Sequence, residues 1–154
     1  MNGFRCVFLL VFSLVFGGAS CQHNARPAAA VLLPLYDIAN QTQEDITTIL
    51  GPQSSLNAAD AQAAICANCQ KYSYQNDRIV IEYTNDMADR ITIRPSAGIM
   101  AEQVPALLGL PEVVPDFVDK DKMQWTGYQG IREVNALLGK NGTVQVILVK
   151  VLTL

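Results

Sequence analysis

Four sets of side chains in this sequence have types and spacings that suit chemistry or binding. Cys66 and Cys69 form a Cys-Ala-Asn-Cys pair. Two thiols this close can join in an oxidising compartment, although so short a loop stabilises little through chain entropy. At a helix start the same spacing lowers one thiol's pKa and makes a redox site. Here the pair follows an Ala-rich polar stretch and precedes a predicted strand, so a structural disulfide or inert thiols are expected, with thiol-disulfide exchange as the alternative. Metal is the least favoured use, because two thiols are half of a tetrahedral set and His23, the single His, lies outside the predicted body. Asp116, Asp119 and Asp121 are the densest acids. Calcium would want their hard oxygens converging from one loop around a Gly turn; Lys120 and Lys122 interleave instead, which reads as a solvated loop. Glu82, Asp86, Asp89 and Glu133 offer carboxylates for glycoside chemistry, yet nothing fixes their separation and surface charge is the expectation. Tyr72, Tyr74, Tyr83, Trp125 and Tyr128 fall on predicted strands. Facing outward they would be anchors for a protein partner; burial between helix and sheet is the favoured placement. With no His in the body, Ser/His and Cys/His triads are excluded, and no phosphate-binding Gly loop is present. The expectation is a non-enzyme without catalytic residues, cofactor or metal.

Cys21 stands apart from these. Arg5 gives a positive start, residues 6–16 are an apolar run too short to span a bilayer, and Gly17, Gly18, Ala19 and Ser20 are small. This is the pattern of a secretory signal over residues 1–20. A Cys directly after the small residues is the position that bacterial lipoprotein processing acylates, so lipid chains on Cys21 are expected to hold the mature chain on a membrane. Gly18 stands where such motifs usually carry Leu, which leaves ordinary cleavage near Ala19 and a secreted or periplasmic product as the alternative; an uncleaved anchor is the least favoured. Gln22 rather than Asp after the Cys points to the outer membrane, facing the periplasm.

The chain has 154 residues, of which 16% are charged, below the roughly 25% of ordinary globular proteins. After the leader, enough remains for one compact domain or two small coupled modules. The formal net charge is −3, and the basic residues are scattered rather than striped, which excludes nucleic acid as a partner.

The elements that must position these side chains follow from periodicity. Residues 21–34, rich in Ala and Pro towards the end, read as a tether. Leu35, Tyr36 and Ile38 suit an entering strand. Thr42-Gln43-Glu44-Asp45 caps a helix whose Ile46, Ile49 and Leu50 share a face, and Gly51-Pro52 stops it. Residues 72–74, 78–83 and 90–94 read as three strands, with turns at Gln75-Asn76-Asp77 and Asn85-Asp86. The second half repeats the scheme: Val104, Leu107 and Leu108 before Gly109 match Ile46, Ile49 and Leu50 before Gly51, with Pro105 confined to the first turn. Strands at 123–128, 131–138 and 143–152 follow, the last two joined by Asn141-Gly142. Residues 131–138 also fit a helix ended by Gly139; the Asn-Gly turn favours strand. The fold expected is α+β, two tandem helix-plus-antiparallel-sheet modules at 35–95 and 96–154.

A signal ending in Cys, helices closing on Ile-Leu-Gly-Pro and Leu-Leu-Gly-Leu-Pro, and a meander after each resemble the BamE (SmpA/OmlA) type of small outer-membrane lipoprotein and the β-lactamase-inhibitor-protein-like fold. That resemblance implies helices layered on one face of an antiparallel sheet and work done by protein contact. It carries no functional residue onto this chain, because outside the helix ends no motif is shared. The function expected is therefore that of a non-enzymatic envelope lipoprotein acting on a protein partner, as scaffold, assembly factor or inhibitor. Two alternatives are a thiol-disulfide protein and small-ligand capture between the modules.

Overall fold

Alternating apolar and polar residues on successive strands produce one sheet with two unlike faces. A computed structural model of the chain describes residues 30–62, 68–96 and 98–153. Its centre is an eight-stranded antiparallel sheet: β1 Gln53–Ser54, β2 Gln70–Tyr74, β3 Ile79–Thr84, β4 Met87–Ile93, β5 Phe117–Val118, β6 Lys122–Trp125, β7 Ile131–Leu138 and β8 Val144–Val151. The order across it is β1-β2-β3-β4-β8-β7-β6-β5, two four-stranded meanders joined through their last strands. Among the described residues four short helices complete the fold: α1 Leu35–Ile38, α2 Gln43–Leu50, α3 Ala58–Gln62 and α4 Val104–Leu107, the last preceded by a 3-10 turn at Ala101–Gln103.

One sheet face is apolar. Tyr74, Ile79, Ile81, Ile91, Ile93, Ile147, Val149, Val134, Ala136 and Trp125 are buried there, and Leu33, Leu35, Ile38, Ile46, Val104 and Leu108 from outside the sheet belong to the same hydrophobic cluster. Alternation requires Val80, Glu82, Thr92, Leu148 and Lys150 to point to the other face.

The turns follow the expected chemistry. Gln75, Asn76 and Asp77 all have positive φ between β2 and β3, and the Ser73 hydroxyl donates to Asp77. Asn85 and Asp86 do the same between β3 and β4, the left-handed pair that a two-residue hairpin needs. Residues 131–138 are strand, paired with β8 across the turn that holds Gly142 at φ 71°. Thr42 caps α2 by accepting from the Asp45 amide at 3.3 Å, and Gly51 ends the helix at φ 86°.

Some local expectations are corrected. Residues 35–38 form a helical turn instead of a strand, because Leu35 and Ile38, three apart, both reach the core. Ile49 is 44% exposed, so α2 docks through Ile46 with only partial help from Leu50. The presumed tether is docked from Leu32 onward: the Leu32 and Leu33 amides donate to the Leu107 carbonyl, and Leu33 is fully buried. Strand β6 begins at Lys122 and ends at Trp125, with Tyr128 in the turn that follows.

Candidate functional site

The face opposite the core carries an ordered row of charge across five strands. Register places Lys71 of β2 opposite Glu82 of β3, Glu82 opposite Arg90 of β4, Arg90 opposite Lys150 of β8, and Lys150 opposite Glu133 of β7. Beside it runs an uncharged row: Ser73, Val80, Thr92, Leu148, Asn135 and Gln124. The charged row, with Val80, Thr92, Leu148 and Asn135 of the uncharged one, lines a hollow of about 560 Å³ at the β4–β8 seam that Asp60 of α3 also borders.

Two irregularities place extra side chains beside the charged row. Pairing shifts between Glu82 and Tyr83 opposite Ala88 and Arg90, which leaves Asp89 as an additional residue in β4. It shifts again between Ile131 and Glu133 opposite Val151 and Lys150, which leaves Arg132 as an additional residue in β7. Bulges re-aim side chains in this way, at the cost of a locally broken ladder. Both flank the same end of β8.

Asp89 is buried and well satisfied. It pairs with the Lys150 ammonium, accepts from the Thr84 hydroxyl at 3.2 Å and from the Thr153 hydroxyl at 3.3 Å, and lies 4.0 Å from Arg90 Nε. That carboxylate offsets the like-charge juxtaposition of Arg90 and Lys150, which would otherwise destabilise the seam. Glu133 accepts from Gln124 Nε2 at 2.8 Å. Both carboxylate oxygens of Asp60 accept from one Arg94 nitrogen, Nη2, at 2.9 and 3.0 Å, while its backbone carbonyl accepts from Lys71 Nζ. Asn135 Oδ1 is buried with no hydrogen-bond partner among the described residues. An orphan acceptor of this kind costs about 1–3 kcal/mol. Leu148, on the same face, is 37% exposed.

The aromatic anchors considered from sequence lie elsewhere. Tyr74, Tyr83, Trp125 and Tyr128 are buried and Tyr72 is half-buried, so they do not form an outward partner-binding patch. The reason is register: Tyr72 and Tyr74 stand opposite Ile81 and Ile79 on the apolar face, and Trp125 stands opposite Val134. Their polar tips are satisfied internally. The Tyr74 and Tyr83 hydroxyls bond each other at 3.0 Å, Trp125 Nε1 donates to the Val113 carbonyl, and Tyr128 donates to Pro111. Burial pushes the Tyr83 phenol well above its ordinary value, reinforced by the bond to Tyr74, and pushes Tyr128 up to about 12.

Of the acids considered from sequence, Glu82 and Glu133 line the hollow and Asp89 pairs with its Lys150, whereas Asp86 is in the exposed β3–β4 turn. Asp116 fixes the loop before β6, accepting from the Thr126 amide at 2.7 Å and hydroxyl at 2.8 Å, and these bonds hold its carboxyl below the usual range. Asp121 pairs with Lys120 at 3.7 Å, and Asp119 accepts from the Lys120 amide. Among the described residues no three His, Cys, Asp or Glu side chains gather as a metal set. Cys69 is disulfide-bonded, with the Thr84 hydroxyl 3.5 Å away. Cys21 and Cys66 lie outside the described residues. Among the described residues no helix is long and apolar enough to cross a membrane.

Sequence reasoning missed Lys71, Arg90, Arg132, Asn135 and Lys150 as a group. Alternation in β3 and β4 marks their face, but only the β4–β8 pairing joins residues 60 positions apart. Set against known proteins, the chain matches no family model, no curated protein and no solved structure.

Proposed function

We propose that this chain is a non-enzymatic bacterial envelope lipoprotein, anchored through Cys21 in the outer membrane, that acts by contact with another envelope protein through the open face of its sheet. The observation that carries this reading is the makeup of that face. Charges of both signs lie beside an exposed apolar side chain, Leu148, in a hollow that spans the seam between the two meanders. An apolar centre within a polar rim is the anatomy of a protein interface. A small-ligand site would be deeper and chiefly apolar, so capture of a small apolar molecule between the halves is less well supported.

Two further features agree with this placement. A disulfide at Cys69 suits an oxidising compartment. Cys69 directly precedes β2 rather than opening a helix, which favours a structural bond over redox exchange. From Cys21 to Ala30 there are nine residues, roughly 30 Å when extended, which keeps the sheet close to the membrane that holds it.

The two meanders are read as tandem modules, each led by a helix: α2 closing on Gly51, and α4 closing on Gly109 at φ 65°. Their equivalence is incomplete, since Leu107 is buried where Ile49 is exposed.

A photo-crosslinking residue placed at Leu148 in the native envelope tests the reading. A discrete protein adduct is expected from Leu148 and not from Thr48, an exposed position on α2. Equal smears at both positions, or no adduct at Leu148, would refute it.

A further inference from the structure

Two guanidinium groups stand on either side of Lys150 on the open face, on strands β4 and β7 that flank β8, with their backbones about 10 Å apart. They differ from the other charges there in having almost nothing to hold. Arg132 makes no hydrogen bond or ion pair among the described residues, although a bulge aims it at the hollow. Arg90, whose side chain is 45% exposed, offers only its Nε at 4.0 Å to Asp89, and its terminal nitrogens make no bond among the described residues.

Of the acids nearby, Asp89 is taken by Lys150, Thr84 and Thr153, Glu133 by Gln124, and Asp60 by Arg94. Glu82, opposite Arg90 in register, is buried and makes no hydrogen bond or ion pair among the described residues, so it does not fill the Arg90 fork. Four of the 11 Lys and Arg of a chain with net charge −3 therefore line one hollow, two of them with their forks unfilled.

A guanidinium fork matches a carboxylate with two parallel hydrogen bonds. Glu82 and Glu133, one on each flank, favour a monoanion over a phosphate dianion by like-charge repulsion. Leu148 and Val80 supply apolar contact beside the forks, and Asn135 Oδ1 lacks a donor. Resting on the contact reading above, we infer that the hollow receives an Asp or Glu side chain from an extended segment of the partner protein. The carboxylate sits between Arg90 and Arg132, and an adjacent apolar side chain covers Leu148.

The probe is a blocked tetrapeptide, acetyl-Gly-Glu-Leu-Gly-amide, titrated into the isotope-labelled full chain in detergent micelles, with its Gln twin and inorganic phosphate as parallel arms. Saturable shifts are expected at the Arg90 and Arg132 Nε–H, the Asn135 side-chain amide and the Leu148 amide. The Gln peptide should bind at least fivefold more weakly, and Arg132→Gln and Arg90→Gln should each weaken the Glu peptide by a similar factor while leaving the remaining spectrum unchanged. Equal affinity for Glu and Gln, no effect of either variant, or tighter binding of phosphate would overturn the proposal. If the peptide fails while the Leu148 crosslink still yields a discrete adduct, the carboxylate chemistry is wrong and the contact reading stands. The opposite pattern overturns the contact reading and with it the protein source of the carboxylate.

Discussion

Tyr83 and Tyr128 make the alkaline limit of this fold a residue-level property. Both phenols are raised above the ordinary value near 10 by burial, Tyr128 to about 12. In the unfolded chain they lose their protons first, so the stability they contribute is complete below about pH 10 and is lost as pH climbs through their folded values. Absorbance at 295 nm, followed with circular dichroism on the wild type and on Tyr83→Phe and Tyr128→Phe, should show the signals of Tyr83 and Tyr128 rising only as the sheet melts. Ionisation of both near pH 10 within an intact sheet would contradict this burial. The fate of these aromatics also measures how far single residues were legible. Alternation of Ile79, Ile81 and Tyr83 with Val80, Glu82 and Thr84 tells the two faces apart. It does not reveal which acids and bases become neighbours, because the Arg90–Lys150 and Glu133–Lys150 pairs depend on a strand order fixed by the whole sheet, and bulged residues such as Asp89 and Arg132 carry no local signature.

At the scale of elements, legibility tracks local determination. The α2 helix has a cap, an amphipathic turn and a Gly stop within ten residues, and it forms where those signals stand. Thr42→Ala should cost about 1 kcal/mol, seen as a lower thermal midpoint with an unchanged sheet signal; an unaltered midpoint would mean that the Thr42 bond to the Asp45 amide contributes nothing. Hairpins announced by Asn85-Asp86 and Asn141-Gly142 form for the same reason, since Asn85, Asp86 and Gly142 accept the left-handed backbone that a tight turn needs. By contrast α1, α3, β1 and β5 have two to five residues each. Segments so short have no intrinsic stability and exist through tertiary contacts: α3 through the Asp60 to Arg94 pair, β1 through pairing with β2. No window of sequence contains those contacts.

At the scale of the molecule, the two meanders are tied together at several separate places. Beyond the β4–β8 seam, the Leu32, Leu33 and Leu35 amides donate to carbonyls at the end of α4, which binds the start of the described chain to its second half. Ile147, fully buried opposite Ile93 and Ala136, sits where the halves meet. Ile147→Ala should cost about 2–5 kcal/mol and lower the stability of both halves together. Hydrogen exchange should then accelerate in β3 as much as in β7; faster exchange confined to β7 and β8 would show that the halves unfold independently. The outermost strands of the sheet, β1 and β5, have a different consequence. A neighbouring copy that tried to extend the ladder would find room for only a couple of amide bonds before the chain turned away. Molecules concentrated on one surface can therefore crowd side by side without fusing into a continuous ribbon.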